Sequence, residues 1–475
     1  MGKYKRLGIN TLLIFVGNMG SKLIGLIMLP FYTRWLGPEQ YGVSDVLNTY
    51  ATVLLSLVTC SMAEALFVFP KDKIDNEKRI YFSTGVIFVF GTTFITAFVF
   101  FLIDLFAKGH NSFIDNIWLL FLLLFAQIFQ TVFQQFTRSI NKIKVYSITG
   151  FIVTVATAIL GCMLVPYYGL SGYIWSVSIA YLIGAIYSIL FSGSYKYFDI
   201  KGFDNNHLKE MLKYCLPLLP SALTWWVIGA MNRPIMESYM GLHDLGIFAV
   251  ASKFPNLLNS LFVIFGVSWQ ISVLEEFGKS DYDRFFNNTV RCVFSIISVG
   301  VILMTACSKQ LILIFASDEF YEAWRLVPIL MVGTLLGNLA SMFGTNFLAS
   351  KQSKYMLFTS LWASAAALIM NFMLIPFAGL MGAAISTVFS MGVLALSRIY
   401  YSKRYVSMTN ISEYILILIV LTLYIILYTL TNNMILSSLG CFVSIIIICM
   451  QERRIIIAVL GETQNIKRII AKLKK

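Results

Sequence analysis

Pro166-Tyr167-Tyr168-Gly169-Leu170-Ser171-Gly172 and Pro376-Phe377-Ala378-Gly379-Leu380-Met381-Gly382 read as two copies of one turn. A second pair, Gly37-Pro38-Glu39-Gln40-Tyr41-Gly42 and Gly241-Leu242-His243-Asp244-Leu245-Gly246, recurs in the same order. Motifs repeated in order, roughly 200 residues apart, indicate an internal duplication. Each copy joins two long apolar stretches. If an even number of membrane spans separates the copies, they share one orientation, and the halves are related by an axis along the membrane normal.

Hydrophobic residues make up 58% of the chain and charged residues 12%, outside the range of a soluble domain. Apolar segments of roughly 20 residues or more, each long enough for a ~30 Å hydrocarbon core, recur from end to end. They lie near 7–33, 43–69, 81–106, 115–137, 147–167, 171–193, 214–236, 244–271, 287–308, 325–349, 355–376, 380–402, 412–432 and 434–451. The fold expected is therefore an all-α polytopic membrane protein of about 14 spans, with two six-helix bundles in parallel repeat and two further helices. Spans 1–6 fill an N-lobe over 1–200 and spans 7–12 a C-lobe over 201–404, with spans 13 and 14 in 405–451 and a basic cytoplasmic tail in 452–475. The linker 194–213 is rich in Asp, Asn and Lys. In the tail, Ile466, Ile469, Ile470 and Leu473 share a helical side, as expected of a helix lying on an anionic leaflet, although a basic tail that only enforces topology fits equally.

The first apolar stretch is too long for a signal-peptide core and carries Lys22, so it reads as helix 1. The net charge of +13 would suggest nucleic acid in a soluble chain, but its distribution excludes that here. One set of loops and helix ends collects Lys3, Lys5 and Arg6, then clusters at 71–79, 138–144, 196–213, 279–291, 351–354 and 398–404; the other set holds only Arg34, Lys108, Arg233, Lys309 and Arg325. By the positive-inside rule both termini are cytoplasmic. The seven cysteines fall almost entirely within apolar spans without a CxxC pair, and read as packing residues. Gly278-Lys279-Ser280 resembles the end of a phosphate-binding loop, but Val273 stands where its first glycine is required. His110, His207 and His243 are scattered over different loops. No cofactor or metal site is expected.

Charged and polar groups inside spans carry the functional signal. Lys22 lies near the middle of helix 1, where a charge costs about 2.5–3.5 kcal/mol on insertion scales, with Asn18 on the same face. Lys253 lies within helix 8, with Asn256 and Ser260 at i+3 and i+7. Two buried ammonium groups, one per lobe, would receive an anion such as a diphosphate; each could instead snorkel or pair with a carboxylate. Asp45, Asn48, Thr49 and Thr52 form a stripe on helix 2, Gln127, Gln130 and Gln134 one on helix 4, and Asn338 heads one on helix 10. Such stripes face water or protein, never lipid, so they line a cavity or bond between helices. Arg233 and Glu237 are spaced for an i, i+4 ion pair, a local pair or a gate. Arg34 and Glu64 are further gate candidates. Trp225, Trp226 and Trp269 serve as anchors more readily than as stacking surfaces for sugars.

The start of the chain, with Asn18, Lys22, Pro30 and Arg34-Trp35-Leu36-Gly37-Pro38-Glu39-Gln40-Tyr41-Gly42, resembles the O-antigen type of polysaccharide flippase. That group belongs to the multidrug/oligosaccharidyl-lipid/polysaccharide superfamily. Gly246–Pro255 and the two proline-glycine turns are similar to that family too, and the resemblance spans about 5–405. It implies two bundles around a central cavity, alternating access, and transfer of undecaprenyl-diphosphate-linked oligosaccharide across the bacterial cytoplasmic (inner) membrane. Lys22 and Lys253 would match the family's basic cavity residues, and a polysaccharide polymerase would be a partner alongside the phospholipid bilayer. Two rivals stand beside it. A cation-coupled multidrug exporter of the same superfamily should place carboxylates in the cavity. A membrane glycosyltransferase or ligase needs a sizeable outer loop, and the outer loops expected here are short.

Overall fold

A computed structural model of the 475-residue chain describes residues 3–107, 109–408, 411–431 and 434–451, with the side chains of 3–23, 411 and 434 outside that description. The described residues are helical and turn, without a strand. The helices are α1 (Lys3–Val58), α2 (Met62–Val68), α3 (Asp75–Phe106), α4 (Ser112–Asp115), α5 (Ile117–Ser139), α6 (Ile143–Ser192), α7 (Asn205–Cys215) and α8 (Leu219–Ala230). They continue as α9 (Asn232–Met240), α10 (Leu242–Glu276), α11 (Tyr282–Ala306), α12 (Ser308–Phe315), α13 (Leu326–Ala349), α14 (Ser353–Ser402), α15 (Ile411–Leu430) and α16 (Met434–Gln451).

By length and apolarity, nine described helices can cross a membrane, or ten if the bent α1–α2 pair counts as one. That count takes each 50-residue helix as a single span. Fifty residues would reach about 75 Å at 1.5 Å each, more than twice a ~30 Å core. Instead α6 doubles back at Gly169 (φ 52°, ψ −128°) and α14 at Gly379 (φ 54°, ψ −133°). Each is a hairpin of two spans, and α1 likewise breaks at Gly37. The expected architecture of about 14 spans is thus recovered once the hairpins are divided.

The duplication is visible atom by atom in these hairpins. A shift of 210 residues carries Gly169 onto Gly379, α6 onto α14, and the end of α5 onto the end of α13. The left-handed residue closing α5, Asn141 (φ 61°), matches Lys351 (φ 57°) closing α13. Their capping bonds match as well, Lys142 N–H to Thr137 O at 3.1 Å and Gln352 N–H to Phe347 O at 2.8 Å.

By their contacts the residues group into two compact units, Met1–Val250 with Ile314–Phe320, and Ala251–Leu313 with Tyr321–Lys475. The division by contacts falls within α10, after Val250, so that α7 belongs with the first unit. The reason is packing: Met211 and Cys215 of α7 are buried in one cluster with Leu66, Phe82, Ile128 and Phe136. A second cluster joins Leu47 and Ala51 of α1, Phe100 of α3, Leu120 of α5 and Ile174 of α6. In the second unit α15 and α16 lie on α11. Arg291 pairs there with Glu413 and donates to the Gln451 carbonyl at 3.1 Å, while Ser308 Oγ donates to the Tyr428 hydroxyl at 3.0 Å. The last two helices are therefore fastened to the bundle by specific groups.

Two spans are broken where the sequence reads as continuous. Helix 2 stops at Val58, where Ser61 N–H bonds Ser56 O and Cys60 N–H bonds Leu57 O, and resumes as α2 at a 59° bend. Helix 7 is divided into α7, α8 and α9, with Pro217 in the 3-10 turn Leu216–Leu218 that joins α7 to α8 and Pro220 in the first turn of α8.

The inter-repeat linker is strapped to the first turns of α3. Ser83 Oγ donates to Tyr197 O (3.2 Å) and accepts from Asp199 N–H (2.9 Å); Thr84 Oγ1 accepts from Asp204 N–H (3.0 Å), and Arg79 pairs with Asp199 at 3.1 Å. Replacing both hydroxyls, Ser83→Ala with Thr84→Ala, leaves two backbone N–H groups without these partners, a loss of about 1–3 kcal/mol each where buried. Trypsin cleavage at Lys196 and Lys201 in detergent-solubilised protein is expected to accelerate at least five-fold, and an unchanged rate would show that the strap is held by other contacts.

Candidate functional site

The helix 2 stripe is built by α-helical spacing, since residues 45, 48, 49 and 52 fall on one side of α1. Asn48 Nδ2 donates to Ser44 O at 2.7 Å and Thr52 Oγ1 to Asn48 O at 2.8 Å, so these side chains satisfy their own helix while staying partly exposed. The Thr49 carbonyl accepts the Trp226 indole N–H at 3.0 Å. Trp226 is thus an anchor between α8 and α1. Asp45, at the head of the stripe, accepts Arg233 Nε at 3.2 Å. The same guanidinium donates through Nη1 to Gly229 O and Asn232 Oδ1, both at 2.8 Å, and lies 5.2 Å from the Phe248 ring centre.

This geometry corrects the i, i+4 pair. Glu237 instead accepts the Ser112 N–H at 2.6 Å, and the ion pair of Arg233 is with Asp45, 188 residues away in sequence. Helical spacing sees only partners on the same helix, and here α1 presents a nearer carboxylate. Arg233 and Asp45 keep 13% and 17% of their side-chain surface, little enough for the pair to be weakly screened.

The helix 4 stripe is turned mostly toward protein. Gln130 Nε2 donates to Gln134 Oε1 at 2.6 Å and Gln134 Nε2 to Tyr146 O at 3.1 Å, tying α5 to α6; Gln130 is buried and Gln127 half-buried. Gln134 is thus an interhelical tie, the second of the readings open for this stripe, and Gln130 supports it from within α5. Asn338 is buried in α13, with an Nδ2 that meets no acceptor among the described residues. Lys253 is half-buried on α10, Asn256 exposed beside it; Arg34 and Glu64 are exposed. The side chains of Asn18 and Lys22 lie outside the described residues, as does the tail from 452. The Gly278-Lys279-Ser280 segment is a plain turn between α10 and α11. Lys279 there bonds Glu276 at 2.8 Å, and that bond raises its pKa. Among the described residues no three His, Cys, Asp or Glu side chains gather to hold a metal.

Arg398 is the residue sequence reasoning misplaced. Counted with the basic cluster at the helix end, it is in fact 1% exposed, donating to Ala340 O at 3.0 Å inside the second unit. A signal was available: the 210-residue shift sets Arg398 on Ser188, and the Thr149–Ser188 hydroxyl contact on Thr359–Arg398.

Residues 7–269, more than half of the chain, match the family described as "Polysaccharide biosynthesis protein". The chain belongs to that family. The chain is 23% identical over 421 residues to an uncharacterized membrane protein of Methanocaldococcus jannaschii, covering 82% of its own length and 98% of the relative. It is 26% identical over 224 residues to the capsular polysaccharide biosynthesis protein CapF of Staphylococcus aureus, covering 44% of this chain and 54% of that one. Among solved structures it is similar to the lipid II flippase MurJ in an inward closed conformation. There the TM-score is 0.70 at 16% identity, over 94% of this chain and 99% of the other. An inward-facing multidrug-resistance transporter of the multidrug/oligosaccharidyl-lipid/polysaccharide superfamily follows at 0.65 and 13%, over 82% and 93%. At these identities the likeness shows the fold: the family's chain here is folded as those transporters are.

Proposed function

We propose that the protein is a flippase that carries an undecaprenyl-diphosphate-linked oligosaccharide, the repeat unit of an O-antigen, capsule or exopolysaccharide, across the cytoplasmic membrane. The observation that carries this reading is the family match over 7–269, in a chain whose fold is that of a lipid II flippase over 94% of its length. Both termini are cytoplasmic in this reading, the repeat halves rock between inward and outward access, and a polysaccharide polymerase consumes the product. Lys22 and Lys253, one per repeat, are the cationic groups for the diphosphate. The half-exposed stripe of Asn48, Thr49 and Thr52 offers hydroxyl and amide groups suited to sugars. An inside-negative potential favours departure of an anion by about 2.3 kcal/mol per charge per 100 mV.

The multidrug-exporter reading needs a carboxylate free to exchange cations, and the intramembrane carboxylate of the stripe, Asp45, is bonded to Arg233. In a mutant lacking its own surface-glycan flippase, the wild type is expected to restore glycan export. The Lys22→Ala, Lys253→Ala pair is expected to lower export at least ten-fold at matched expression, with lipid-linked sugar accumulating on the cytoplasmic side. Full export by the double variant would remove the two lysines from the mechanism.

A further inference from the structure

The two copies of the glycine turn meet each other inside the first compact unit. Gly37 (φ 64°, ψ 175°) and Gly241 (φ 87°, ψ −179°) share a conformation essentially confined to glycine. Five residues on, each copy's second glycine lies against the other copy's backbone. A β-carbon on Gly42 would stand 2.2 Å from the Leu242 carbonyl oxygen, and one on Gly246 would stand 1.9 Å from that of Pro38. Pro38 and Leu242 are themselves the residues following the two turn glycines, so the contact is reciprocal.

Polar ties surround this crossing, and each joins one repeat to the other. Asp45 holds Arg233, and Thr49 O holds the Trp226 indole. Ser112 N–H is bonded to Glu237, and Ser317 bonds Thr33 through both its N–H and its hydroxyl at 3.2 Å. One end of the span bundle is thus held by backbone-to-backbone contact plus a largely buried ion pair. Packed contact of this kind has two arrangements, closed or parted, because a carbonyl against a glycine leaves no room for gradual deformation.

We propose that the Gly42–Gly246 crossing is a latch closing the outer end of the transport path, fastened by Arg233–Asp45, and that it parts to release cargo outward. This rests on the transporter reading and on the cytoplasmic placement of both termini. Any side chain at position 42 or 246 holds the two segments apart and shifts the protein toward its outward-open arrangement, independently of cargo.

The test uses the full-length protein with its native cysteines replaced and one cysteine placed at Thr52, labelled with a membrane-impermeant maleimide in right-side-out and in inverted vesicles. Gly42→Ala and Gly246→Ala are each expected to raise labelling from the outer face at least five-fold. Asp45→Asn, which breaks the ion pair without adding an atom, is expected to raise it two- to three-fold. Gly91→Ala, where a β-carbon meets nothing within 4 Å, is expected to match the parent. Outer-face labelling of folded glycine variants at the parent rate overturns the latch, as does an equal rise in Gly91→Ala. Should the glycine variants fail to fold, parent-like labelling of Asp45→Asn overturns it. A rise confined to the inner face overturns its placement on the outer side. None of these readouts involves a saccharide, so failure of the flippase reading would be seen separately, in the export assay.

Discussion

Gly382→Ala is expected to abolish accumulation of folded protein. A β-carbon there would sit 2.1 Å from the Leu374 carbonyl oxygen and 2.6 Å from its carbon, both backbone atoms of the opposite arm of the α14 hairpin. Neither a rotamer change nor a side-chain shift relieves that contact; the two arms must separate. Overpacking of well-packed sites costs about 1–3 kcal/mol, and a backbone clash belongs at or above the top of that range. Separation of the arms also disturbs Gly379, whose turn sets their crossing. The repeat supplies a second instance, because a β-carbon on Gly172 would stand 2.4 Å from Leu164 O in the α6 hairpin. Both variants are expected to lose most of the monodisperse peak in detergent size-exclusion, while Gly91→Ala keeps it. A parent-like yield for Gly382→Ala would mean that the hairpin arms are not held at this distance.

Arg398→Ser is expected to destabilise the protein by about 3 kcal/mol, the range found when a large buried side chain is truncated. The comparison between repeats gives the reason. In the first repeat the space between hairpin and preceding helix is filled from α5 by the Gln130 and Gln134 side chains, Gln134 bonded to the Tyr146 carbonyl of α6, with the small Ser188 on the hairpin's other arm. The 210-residue shift puts Ala340, Gly344 and Met356 at those three positions and Arg398 at the fourth. The second repeat therefore fills the same space from α14: a β-carbon on Gly344 would lie 2.9 Å from Arg398 Nη1. Volume has moved from one wall to the other. Truncating Arg398 alone leaves a cavity and takes the guanidinium bond from the Ala340 carbonyl. Adding Ala340→Gln to Arg398→Ser is expected to recover about 1 kcal/mol of the loss, since it rebuilds part of the first repeat's solution. Thermal unfolding in detergent measures both; equal stability of Arg398→Ser and parent would contradict this account of the pair.

These examples show where the sequence was readable. Turn glycines at 37, 169, 241 and 379 announce themselves because left-handed backbone leaves a residue-type mark, and hydropathy marks spans because lipid tolerates few charges. Long-range partners leave no such mark. Arg233 reads as the i, i+4 partner of Glu237 because nothing in its neighbourhood reveals Asp45, brought alongside by packing of α9 on α1. Gln130 and Gln134 read as cavity lining because an amide stripe looks the same whether it faces water or another helix; only the Tyr146 carbonyl decides. Arg398 reads as a cytoplasmic charge because basic residues near span ends usually snorkel. Alignment of the repeats corrects that reading, since an arginine standing where its twin is Ser188 has to be accommodated by small residues opposite, and Ala340 and Gly344 are those residues. The helix 2 break at Thr59–Ser61 has no glycine or proline to signal it, since Cys60 and Ser61 take the left-handed conformation themselves.

Transfer of a lipid-linked saccharide between leaflets can be followed in proteoliposomes containing the purified protein and a fluorescent undecaprenyl-diphosphate oligosaccharide. An impermeant quencher added outside reports the outer-leaflet fraction. Quenching is expected to proceed beyond the outer-leaflet half within minutes, at a rate proportional to protein per vesicle, and at least ten-fold more slowly with the Lys22→Ala, Lys253→Ala variant. Quenching that stops at half, as in protein-free vesicles, while the same preparation expels a cationic dye in exchange for protons or sodium, would contradict it.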